Sequence, residues 1–182
     1  MGMRTGRRGL IGLALAGGAI ALSGCGSEAP SRPSTPSRTP AQGGSATPVG
    51  GDLAVSKDPT CGCCGGWIEH AEDSGFTVTV DHPDSLDDVF AAHDVAADVQ
   101  SCHLTRHSSG ALFVGHVPAP ILASYLADRP AGSRGLSVPG MPVGSPGMEA
   151  GDDFEPYAVL LLHEDGSTST FAEVTRASEQ YF

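Results

Sequence analysis

Three of the chain's five cysteines fall within four residues, Cys61-Gly62-Cys63-Cys64, and a fourth, Cys102, stands beside His103. A cysteine placed for packing acts as a small hydrophobe and gains nothing from clustering. Three sulfurs within one turn, by contrast, share a soft metal ion or exchange a disulfide. The run also constrains the fold. Leu53-Ala54-Val55-Ser56-Lys57 is a short strand candidate leading straight into it, and Cys64 to Ser74 has a helical pattern closed by Gly75. The thiols therefore sit at a strand-to-helix turn, where unpaired amides and the positive end of the helix favour a thiolate. That serves either a nucleophile or a metal ligand.

The rest of the chain continues the alternation. Phe76-Thr77-Val78-Thr79-Val80 reads as a strand, and Asp84 to His93 as a helix capped by Asp84 or Ser85, with Leu86, Val89 and Phe90 as its apolar stripe. Ala111 to Gly115 is a further strand. Pro118 to Asp128 is a helix with proline in its first turn, and Tyr157 to His163 and Ser167 to Phe171 form a hairpin across Glu164-Asp165-Gly166. Between them Gly135 to Gly151 is dense in glycine and proline and has neither period. This order predicts an α/β fold, a single thioredoxin-like domain over residues 52–182 with a Gly/Pro-rich loop insertion. Cys61 and Cys64 have the spacing of a thioredoxin redox pair, with Cys63 added inside it.

The fifth cysteine belongs to the N-terminus. Arg4, Arg7 and Arg8 precede an apolar run from Leu10 to Leu22 that ends in Ser23-Gly24-Cys25, the parts of an export signal over residues 1–24. Leu22-Ser23-Gly24-Cys25 resembles a lipoprotein lipobox, which makes Cys25 the lipidation site. Arg7-Arg8 leaves Sec and twin-arginine export both open. From Gly26 to about Gly51 the chain is rich in Ser, Thr, Pro, Gly and Ala and cannot bury enough surface to offset its ordering entropy. Residues 25–51 read as a lipid-anchored disordered linker holding the domain clear of a membrane surface. The expected location is extracytoplasmic, in the cell envelope. All 21 acidic residues lie beyond Cys25 and three of the ten basic ones before it, leaving a mature net charge of −14 that argues against nucleic acid as a partner.

Several ordered blocks then match one family. Val55-Ser56-Lys57-Asp58-Pro59-Thr60-Cys61-Gly62-Cys63-Cys64-Gly65-Gly66-Trp67, His70, Ser101-Cys102-His103, Gly115-His116-Val117-Pro118 and the stretch from Gly135 to Glu149, with its Gly140-Met141-Pro142-Val143-Gly144-Ser145-Pro146-Gly147-Met148-Glu149, span nearly all of the domain. Together they resemble the exported CopG-like metal-binding family, long filed as a domain of unknown function. The resemblance implies a thioredoxin-like fold, an extracytoplasmic location and a role in copper handling or resistance, with copper held by the clustered cysteines. Leu104, where the family usually has threonine, and the polar segment Thr105 to Ala111 depart from its pattern. Neither removes a thiol. The long tether is not a general feature of the family, so the anchor rests on the signal alone.

Donor chemistry bears on the metal. Thiolate and thioether sulfurs match Cu(I), which accepts two or three of them, whereas structural zinc takes four ligands in a tetrahedron that adjacent cysteines make awkward. The expected thiolate ligands are Cys61, Cys63, Cys64 and Cys102, with His103, His116, Met141 and Met148 as secondary candidates. Side chains adjacent in a strand point to opposite faces, so Cys102 and His103 reach one ion only through irregular backbone. His103 and His116 each read equally as ligand or as hydrogen-bonded histidine. Met141 and Met148 fill a core or cap the metal. His70 lies seven residues beyond Cys63, about 10 Å along a helix, and reads as a supporting or surface histidine rather than a ligand. Trp67 reads as core.

Two functions follow. One is an exported copper-binding protein for copper resistance or trafficking, with copper ions as partner and a membrane copper exporter or copper oxidase as a docking target for the methionine loop. The other is a thiol–disulfide oxidoreductase in which Cys61 and Cys64 exchange, the only enzymatic activity that the residues suggest. Zinc, or one structural disulfide among packed cysteines, remains the plainer alternative.

Overall fold

The computed structural model describes residues 51–182. The export signal at 1–24, the lipidation site Cys25 and the linker through residue 50 lie outside the described residues. In chain order the elements are β1 (Asp52–Lys57), α1 (Gly62–Asp73), β2 (Thr77–Asp81), α2 (Leu86–Ala92), β3 (His103–His107), β4 (Leu112–Val114), α3 (Ala119–Ala127), β5 (Ser133–Ser137), β6 (Tyr157–His163) and β7 (Thr168–Val174). Short 3-10 turns lie at Ala97–Val99 and Ala177–Gln180.

All seven strands form one mixed sheet in the order β2-β1-β3-β4-β5-β6-β7. β1 runs parallel to β2, and β4 to β5; the other neighbours are antiparallel. Successive residues of a strand face opposite sides, and β4 displays this: Phe113 enters one core, Leu112 and Val114 the other. The first core joins Trp67 and Ala71 of α1 to Leu122 and Tyr125 of α3, and the second takes Phe90 of α2 with Val95, Val99 and Leu104. Helices therefore cover both faces, as an α/β domain requires.

The predicted elements recur within a residue or two, except that β7 runs three residues further to Val174, and the Ser85 cap is present, its hydroxyl accepting the Asp88 amide at 3.1 Å. Two strands escaped the sequence reading. β3 runs into the polar segment noted as a departure; it is an inner strand whose buried positions include His103 and Thr105, so polar residues hide its period. β5 ends inside the segment read as a Gly/Pro-rich loop, Gly135 to Ser137 being its last three residues. Its Gly135 packs so closely on β4 that an added Cβ would strike the Leu112 backbone, so a residue that reads as loop is required by the pairing. No helix among the described residues is long and apolar enough to cross a membrane.

Candidate metal centre

The turn between β1 and α1 presents the first three thiols. Cys61 is the N-cap of α1, in extended conformation, and Cys63 and Cys64 occupy the first turn. Cys61 and Cys64 are joined by a disulfide, with Cα atoms 5.5 Å apart, while Cys63 and Cys102 are free. The antiparallel register that sets Lys57 opposite His103 brings the start of β3 beside the end of β1. Cys102 thereby reaches the turn, and the sulfurs of Cys61, Cys63, Cys64 and Cys102 all lie within 4.8 Å of one another. Cys63 Sγ is 3.5 Å from Cys61 Sγ and 3.9 Å from the thioether of the half-exposed Met141.

Cys102 also belongs to a second donor group. Its sulfur lies 2.9 Å from His116 Nε2 and 3.4 Å from His103 Nδ1. The two neighbours Cys102 and His103 meet because Cys102 occupies a bend just before β3, the irregular backbone that the alternation rule demands. His116 is directed by the glycine-proline loop: its Nδ1 lies 2.7 Å from the carbonyl of Pro146. A carbonyl only accepts, so Nδ1 carries the proton and Nε2 turns a lone pair toward Cys102. That is the orientation of a metal-ligating imidazole held by an outer carbonyl. His103 differs, for its buried Nε2 has no partner among the described residues. Placing the proton there would strand a donor, so the favoured tautomer has Nδ1–H pointing at Cys102 sulfur. His116 thus turns an acceptor nitrogen, and His103 a donor, toward the same sulfur.

Burial sets the charges. It pushes the Cys102 thiol up to about 12, helped by the neighbouring Cys63 sulfur. Burial likewise lowers His116, and takes His103 down to about 3 with help from the positive fields of His116 and Lys57. Both imidazoles are neutral at pH 7. An unfolded His103 takes up its proton near pH 6.5 and the folded one only near 3, so its contribution to stability is complete above 6.5 and is lost as pH falls toward 3. For the metal-free protein we expect urea stability to drop by about 2 kcal/mol from this residue between pH 6.5 and 5. His103→Asn should flatten that dependence, and identical pH profiles for the two proteins would refute the assignment.

The loop that follows β5 closes over the cluster. Gly147 has φ +85 and lies against α1, where an added Cβ would collide with the Cys63 carbonyl and the Trp67 amide. Gly140 is clamped at the other end, accepting from the Ser101 hydroxyl and donating to Gln100 at 3.3 Å. This places Met141 at Cys63, whereas Met148 is half-buried, its amide donating to the Ser145 carbonyl at 2.7 Å. Trp67 is core, as read: fully buried, it donates Nε1–H to the Val117 carbonyl at 2.9 Å and packs against the His103 ring, tilted by 45° with centroids 4.6 Å apart. His70 supports rather than ligates, its Nε2 accepting the Ala119 amide at 3.0 Å at the start of α3. The Pro146 carbonyl was missed, since a backbone acceptor has no residue-type signature; only its place in the Gly144-Ser145-Pro146-Gly147 block marked it.

A family model described as "Protein of unknown function, DUF411" matches residues 99–148. No curated protein matches. Two solved structures, both titled copper resistance protein CopG, match with a TM-score of 0.64 each. Form 1 is 38% identical and covers 69% of this chain and 98% of its own; Form 2 is 39% identical and covers 68% and 97%. With nearly the whole length of those structures matched at that identity, the chain belongs to the CopG family, within which the DUF411 segment lies.

Proposed function

We propose that this domain binds Cu(I) through Cys61, Cys63, Cys64 and Cys102, with His116 as imidazole ligand and Met141 as a soft cap, in copper resistance or trafficking. The observation that carries the reading is Cys102, whose sulfur belongs both to the four-thiol group and to the histidine group. Sulfur that bridges two donor sets suits Cu(I), and two solved structures similar to this chain are named for copper resistance. With the disulfide formed, Cys61 and Cys64 have no thiolate to offer. Full loading therefore follows reduction by an external dithiol, which supplies two electrons and two protons and leaves as its own disulfide. Capture at Cys102 displaces the proton that burial holds there, so apparent affinity rises with pH through the neutral range.

The strand order β2-β1-β3-β4, with β1 parallel to β2, the next two pairings antiparallel and α3 after them, supports a thioredoxin-like core extended by β5 to β7. The signal and lipobox support export and anchoring through Cys25, which would place the copper site in the cell envelope within reach of a membrane exporter or oxidase. The test is an anaerobic Cu(I) titration of the reduced protein against a competing chelator. Uptake by the wild type, lost in Cys61→Ser/Cys63→Ser, is expected; no uptake, or uptake unchanged in the double variant, would reject the proposal.

The disulfide favours a second reading, thiol–disulfide exchange by Cys61 and Cys64, with Cys63 poised 3.5 Å from Cys61. Its reduction potential and turnover against a disulfide substrate measure that activity directly. Turnover that persists in Cys63→Ser and Cys102→Ser would separate it from copper binding.

A further inference from the structure

The last residues of the chain bear on the copper site from a distance. Glu149 accepts the Gly147 amide with both carboxylate oxygens, at 3.0 and 2.9 Å, and the Tyr181 hydroxyl at 3.0 Å. Gln180, fully buried beside it, donates to the Gly144 carbonyl at 2.8 Å and accepts from Tyr157 at 2.5 Å. Tyr181 also meets the His70 ring edge-on, with centroids 5.3 Å apart. The C-terminal turn therefore grips the glycine-proline loop at two points, Gly144 and Glu149. Between those points lies Pro146, whose carbonyl fixes the His116 tautomer, and Gly147, which is seated against the Cys63 carbonyl.

We infer that Glu149, held by Tyr181, is a positioning residue: it locks the Pro146-Gly147 peptide in place and thereby aims His116 Nε2 at the Cys102 sulfur. The assignment rests on the copper reading only for its consequence, since the imidazole is oriented with or without metal. The carboxylate is exposed and reaches the site only through the Gly147 amide, so it acts on geometry. Burial raises its pKa, yet the amides of Glu149 and Gly147 and the Tyr181 hydroxyl lower it by more, as expected for an ionised acceptor. Outer partners of ligating histidines are worth about 10–100-fold in metal affinity, and Glu149 stands one contact further out. An effect near the lower limit, about tenfold, is expected.

The test measures copper release from the full mature protein into a chelator. Glu149→Ala should speed release about tenfold, and Glu149→Gln, which keeps an acceptor for the Gly147 amide, should restore most of the retention. Tyr181→Phe removes one hydroxyl with little risk to folding and should speed release less, in the same direction. In a His116→Ala background neither change should add anything, because the effect runs through that ring. Wild-type release in Glu149→Ala, or an equal acceleration with His116 absent, would overturn the inference. A metal-free arm stands apart from the copper reading: 15N spectra of the His116 ring should report one tautomer, protonated at Nδ1, in wild type and a mixture in Glu149→Ala. If the wild type takes up no copper, the copper reading fails and this arm decides; an unchanged ring spectrum refutes the latch.

Discussion

Cys102→Ser is expected to reduce Cu(I) affinity by more than about a hundredfold while leaving the fold and the Cys61–Cys64 disulfide intact. Its sulfur is the donor common to both groups, 2.9 Å from His116 Nε2 and within 4.8 Å of the other three sulfurs. Loss of an outer partner alone costs about 10–100-fold, and a shared ligand must cost more. Serine is smaller and its hydroxyl accepts a hydrogen bond from neighbouring groups, so stability should change by less than about 1 kcal/mol. Chelator competition reads the first quantity and urea denaturation the second. A loss of copper affinity no greater than that of Met141→Ala would show that the two donor groups do not act together.

Trp67→Ala is expected to be the most damaging substitution for stability near the site, at about 3–5 kcal/mol. The indole is fully buried, packs against His103 and satisfies the Val117 carbonyl. Alanine leaves a cavity and strands that carbonyl, two separate costs. Trp67→Phe retains most of the apolar contact and loses only the N–H, so it should cost about 1–3 kcal/mol. Because Val117 follows His116, both changes should also loosen copper binding. Urea midpoints measure the ordering, and a Trp67→Ala loss below that of Trp67→Phe would contradict the packing described.

The cysteine turn and the alternation around it were legible because each rests on residue type at fixed spacing: thiols between a strand and a helix, Asp84 or Ser85 before the next helix, an apolar strand from Ala111 to Gly115. The meeting of Cys102 with Cys63, and of His116 with Cys102, was legible only as a list of candidates. Those contacts depend on the register of β3 against β1, and β3 was hidden because His103 and Thr105 are polar residues buried in an inner strand. The disulfide was legible as one of two uses for the Cys61–Cys64 spacing. What sequence could not give was direction. Which histidine nitrogen faces the sulfur depends on a proline carbonyl 30 residues away, and which methionine reaches the thiols depends on where the loop is clamped.

Whether this cluster selects copper through shared sulfur is decided by metal analysis of the protein produced with copper and zinc both supplied and purified without air. Bound copper, little zinc, and loss of the copper in Cys102→Ser are expected. Zinc in place of copper, or wild-type protein free of both, would contradict such selection.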